Sequence, residues 1–66
     1  MNRIKEILKE QGRTQMWLSE RLGKSYVMVT SYCNNKVQPS IQILNQVANL
    51  LNIDVRELLE PSKIEN

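Results

Sequence analysis

The sequence predicts an all-α domain built from five short helices. Three observations predict it. Apolar residues recur at helical spacing along the chain. A Ser, Thr, Asn or Asp stands before each apolar run, where a helix needs a cap. A convincing alternation of period two is nearly absent, and its one candidate, Tyr26 to Tyr32, has no partner strand to pair with.

The first helix is expected over roughly Asn2 to Gln11. Ile4, Ile7 and Leu8 lie on one face, Asn2 is the cap, and Gly12 can take the left-handed stop. The second runs from Gln15 to Leu22 behind Thr14, with Leu18 and Leu22 as its inner stripe and Gly23 at its end. The third follows Ser25 and runs from Tyr26 to Cys33 or Asn34. Its Val, Thr and Tyr content favours strand when taken alone. The cap at Ser25 and the helical neighbours decide for helix. Asn34 to Pro39 form a loop. Ser40 caps a fourth helix, Ile41 to about Leu51, whose inner face is read as Ile41, Leu44, Val47, Ala48 and Leu51. Asp54 and Glu57 form a capping-box signal for a fifth helix that includes Leu58 and Leu59 and stops at Pro61. Residues 1–61 are expected to be one domain and 62–66 a frayed tail.

The 66 residues carry a net charge of +2. Its distribution says more than its size. The first 24 residues hold six Lys or Arg and three Glu, Val37 to Ile53 hold no charge, and residues 54–66 hold two basic and four acidic groups. An anionic partner is therefore expected at the front half. The chain has one Cys and no His. That argues against an internal disulfide, a metal-ligand cluster and a Cys–His nucleophile, so neither an enzyme nor a cofactor is expected. No apolar run approaches the ~20 residues of a membrane span, and no secretory h-region is visible. A cytoplasmic location without membrane contact is expected, and no small-molecule site is evident.

The informative stretch is Thr14 to Ser40. Two helices joined by a turn of three or four residues must cross steeply. The crossing needs a small residue, found at Ser19. The turn needs a residue tolerant of positive φ, found at Gly23. The third helix needs a shape-filling apolar residue facing back, found at Val29. With Leu18, Leu22, Tyr32 and the run Gln38-Pro39-Ser40, this pattern resembles the phage Cro/repressor-like (Xre) helix-turn-helix family over nearly the whole chain. The chain departs from the family pattern in three places. Ser19 replaces the usual Ala, Lys24 follows Gly23 where an apolar residue is common, and Asn35 must take a left-handed position usually held by Gly.

The resemblance implies a lambda-repressor-like fold with the helix-turn-helix at the second and third helices. It implies double-stranded DNA as partner and a homodimer reading a two-fold symmetric site. It places Tyr26, Val27, Thr30 and Ser31 toward base edges. None of these is Arg, Lys, Asn or Gln, so readout is expected to lean on thymine methyl contacts, shape and deformability. Gln15, Asn34, Lys36, Lys24 and Arg13 are the matching phosphate candidates. Ile53, Val55, Leu59 and Ile64 are dimer candidates, with Ile53 and Leu58 fitting monomer core as well. Trp17 is read as padding for the first helix, Met16 and Met28 as fillers, and Cys33 as a small helix residue without redox role. The implied function is transcriptional regulation, by default repression. An autoregulating antitoxin and a protein-interaction module without DNA binding remain alternatives.

Overall fold

A computed structural model describes residues 1–59. The elements are α1 (Ile4–Glu10), α2 (Gln15–Leu22), α3 (Tyr26–Cys33), α4 (Ile41–Leu51) and a 3-10 turn (Val55–Leu58). Among the described residues, four α-helices and one 3-10 turn thus stand in place of the five helices expected.

Local cap chemistry explains where α2, α3 and α4 begin. The side chains of Thr14, Ser25 and Ser40 accept from the backbone N–H of Trp17, Met28 and Ile43 at 2.9, 3.1 and 3.2 Å. Each satisfies an amide that the first helical turn leaves unpaired. The stops are equally uniform. Gly12, Gly23, Asn35 and Asn52 have φ of +69°, +70°, +60° and +59°. After each, the next N–H reaches back five residues: Arg13 to Leu8 O, Lys24 to Ser19 O, Lys36 to Ser31 O and Ile53 to Ala48 O. This is the Schellman closure, and it needs a left-handed residue at its turn. Asn fills that role twice.

Asn52 isolates the effect, because it is exposed and α4 ends on it. Replacing Asn52 with Ala should destabilise the domain by about 1–2 kcal/mol, since a Cβ-bearing residue without Asn's local compensation is strained there. Asn52→Gly should hold or raise stability. Urea melts of the two variants check this, and an unchanged midpoint for Asn52→Ala would show that the left-handed stop is not needed.

The core gathers Ile4, Ile7 and Leu8 from α1, Leu18 from α2, and Val29, Tyr32 and Cys33 from α3. Leu44, Val47, Ala48 and Leu51 from α4 and Leu58 from the 3-10 turn complete it. Trp17, Leu22, Ile43, Leu50, Ile53 and Val55 flank it, partly buried. Ile41 departs from the expected inner stripe. It is 68% exposed, because burial on α4 starts only at Ile43. The buried hydroxyl of Ser19 donates to Met16 O at 2.8 Å, so the small residue at the crossing leaves no orphaned polar group.

Two boundaries differ from expectation, and one interaction accounts for both. Asn2 and Leu59 form an isolated antiparallel bridge, and Arg3 N–H donates to Leu58 O at 2.8 Å. This pairing holds Asn2 outside α1, which starts at Ile4 with Arg3 in the cap position. It also draws Leu59 into an extended conformation (φ −99°, ψ 137°), so the last element closes after one 3-10 turn. The Asp54–Glu57 capping box is present as read. Arg56 side-chain and backbone hydrogen bonds hold the Asp54 carboxyl down to about 2.

Candidate nucleic-acid interface

The three-residue turn Gly23–Ser25 joins α2 to α3, and the two helices pack on each other. Val29 and Tyr32 point into the core with exposures of 0% and 7%. That anchoring decides which face of α3 is left outside. Tyr26 and Val27 are exposed, Val27 at 73%, while Thr30 and Ser31 are half-buried. With Asn34 and Lys36 they line one shallow groove. The structure thus brings together all four base-facing candidates and two of the phosphate candidates.

Gln15 opens α2 and joins the same surface. Its Oε1 accepts from the Thr30 hydroxyl at 3.1 Å. This bond fixes the Thr30 side chain against the start of α2. Residue types alone did not reveal this link, because it joins positions fifteen apart across the helix crossing.

Lys24 is exposed in the turn and Lys36 in the loop after α3, and among the described residues neither pairs with a carboxylate. Among the described residues the ion pairs are Arg3 with Glu6 and Glu10, and Arg56 with Asp54. Arg13 is placed differently from the other phosphate candidates. Its guanidinium stacks over the Trp17 ring, 4.2 Å from the centroid, with Arg21 at 5.6 Å. Trp17 is half-buried against the core, so it acts as padding and as a platform for two cations. The spacing 13, 17, 21 is the sequence signal that could have shown this stack. α3 itself carries neither acidic nor basic residues.

Cys33 is 3% exposed, and burial pushes its thiol up, only partly opposed by the Lys5 charge. It remains a neutral core residue. Among the described residues no group of three or more His, Cys, Asp or Glu could hold a metal ion, and no helix is long and apolar enough to cross a membrane.

A capped helix, a three-residue turn closed by a left-handed glycine, and a second helix presenting one uncharged outer face define the helix-turn-helix class of protein. Residues 4–58 match the model of the helix-turn-helix family HTH_3, and the chain belongs to that family. It is also similar to a solved structure from Bacteroides fragilis, described as "a putative DNA-binding protein". The two are 50% identical and superpose with a TM-score of 0.87, over 88% of this chain and 94% of that one. No curated protein matches the chain.

Proposed function

We propose that this protein is a sequence-specific regulator of transcription that binds double-stranded DNA, with α3 in the major groove. The single observation that carries this reading is the groove itself. Tyr26, Val27, Thr30 and Ser31 share one face with Asn34 and Lys36, and among the described residues no carboxylate lines it. A largely exposed Val27 is available to meet a thymine methyl. Gln15, Asn34 and Lys36 adjoin the face, and with Lys24 and Arg13 they supply phosphate contacts. Membership of the helix-turn-helix family and the described nature of the Bacteroides fragilis protein support the same conclusion.

The protein acts as a dimer on a two-fold symmetric operator, as a repressor that occludes the site. Among the described dimer candidates Leu59 has most exposed surface, at 44%. Ile53 and Val55 are partly buried against the core and offer only their outer edges. Ile64 lies outside the described residues, as do the expected end of the domain at residue 61 and the tail 62–66.

Binding to duplex DNA over a salt series tests the reading. The logarithm of the affinity should fall against that of salt with a slope of about −4 to −8 for a dimer making several phosphate contacts per subunit. An absence of binding at low salt would reject DNA recognition and leave the protein-interaction alternative.

A further inference from the structure

Asn2 is one of only two buried polar residues among those described, at 5% exposure. A helix cap has no need to be buried, since caps are ordinarily satisfied at the surface. Asn2 stands one residue before the cap position, which Arg3 holds, and its groups bond in several directions. Its Oδ1 accepts from Ile4 N–H at 3.0 Å, relieving the first turn of α1. Its Nδ2 donates to Tyr32 O at 3.0 Å and to Gln38 Oε1 at 3.3 Å. Its backbone N–H donates to Asn35 Oδ1 at 2.8 Å, and Asn35 Nδ2 donates back to Asn2 O at 3.5 Å. Gln38 Nε2 closes the ring by donating to Asn35 Oδ1 at 3.1 Å.

Three carboxamides, Asn2, Asn35 and Gln38, thus enclose the loop between α3 and α4. The carbonyl that Asn2 grips is not an arbitrary one. Tyr32 O also accepts the Asn35 N–H that closes α3. Asn35 holds the left-handed position of that closure, and Lys36 and Asn34, its neighbours, line the groove. On its other side Asn2 is pinned by the bridge to Leu59. The residue therefore ties the N-terminal segment, the loop and the C-terminal segment at one point. Only a side chain with both a donor and an acceptor can satisfy Ile4 N–H and Tyr32 O together. Asp would lose the donor, and an aliphatic residue would strand both groups.

We propose that the Asn2 side chain is a positioning group for DNA binding: through Tyr32 O and Gln38 it holds the loop so that Lys36 meets the phosphate backbone. The proposal rests on the DNA-binding reading above. Asn2 itself touches no nucleic acid in this scheme. It fixes the direction in which a flexible, strongly hydrated lysine is presented, and a lysine that is not fixed contributes less per contact.

The test measures duplex affinity over a salt series for wild type, Asn2→Ala, Lys36→Ala and the double variant. Each is measured at a temperature where circular dichroism shows it folded. Asn2→Ala should reduce the magnitude of the salt slope by about 0.9 per subunit, the loss of one phosphate contact. Lys36→Ala should give the same reduction, and the double variant should lose no more than either single one. A purely structural Asn2 would lower the melting temperature and leave the slope of the folded protein at its wild-type value. That result, or additive losses in the double variant, overturns the proposal while the DNA reading stands. Wild type failing to bind duplex at low salt overturns the DNA reading and the proposal with it. If Asn2→Ala does not fold, Gln38→Ala opens the same ring from an exposed position. It should lower the slope in the same direction, and an unchanged slope would overturn the proposal.

Discussion

Val27→Asp is expected to abolish specific DNA binding while leaving the fold intact. Val27 is the second residue of α3 and is 73% exposed, so nothing in the core depends on its methyl groups. An acidic side chain in the first turn of a helix interacts favourably with the unpaired N–H groups there. The first turn of α3 has no acidic residue, so the new carboxylate should hold or slightly raise stability. Its effect on binding has the opposite sign. It would face phosphates and base acceptors across the groove, and a like-charge juxtaposition at an interface costs several kcal/mol. Affinity for the cognate duplex should fall roughly a hundredfold or more, the equivalent of about 3 kcal/mol. Gel-shift or anisotropy titrations measure the loss, and a thermal melt confirms the fold. Val27→Thr serves as control: it keeps one methyl, adds no charge and should bind far more tightly than the Asp variant. Wild-type affinity in Val27→Asp would mean that this face of α3 does not enter DNA.

Leu18→Ala is expected to have the largest effect on stability. Leu18 is 1% exposed and is the only fully buried apolar residue that α2 contributes to the core. Truncating a buried leucine removes its transfer free energy and leaves a cavity, together costing about 2–5 kcal/mol. A domain of this length holds roughly 3–10 kcal/mol in all. The substitution should therefore leave a substantial unfolded fraction at room temperature, seen as loss of helical circular dichroism and a strongly lowered urea midpoint. Any loss of DNA binding should follow the unfolded fraction, and binding per folded molecule should be preserved. A midpoint within error of wild type would show that α2 is not anchored through Leu18.

These expectations depend on features of different legibility. The limits of α2 and α3 follow from Thr14, Gly23 and Ser25, because caps and stops act over three to five residues and are written in adjacent letters. The face of α3 proposed to meet DNA was named through the family resemblance, and helical geometry agrees with its exposure. Once Val29 and Tyr32 are assigned inward, helical geometry leaves Tyr26, Val27, Thr30 and Ser31 outward or at the edge. Asn35 in a left-handed turn was legible through the family resemblance, which usually has a glycine there. The Arg13–Trp17–Arg21 stack was also present in the spacing, but position cannot show whether a cation lies over a ring or in solvent.

By itself, then, the sequence determined the four α-helices, the caps of α2, α3 and α4, the left-handed stops and the helix-turn-helix. All of these are set by contacts between near neighbours. Tertiary structure alone decided the start of α1, the shortening of the last element to a 3-10 turn, the exposure of Ile41 and the joining of Gln15 to Thr30. It also decided that Asn2, which reads as a simple cap, sits buried between Tyr32, Asn35 and Gln38. Those outcomes depend on hydrogen bonds across 15 to 36 residues and on a bridge between the two ends of the described chain. Such bonds form only where folding brings distant unpaired groups together, and local sequence pattern carries no record of which groups will meet.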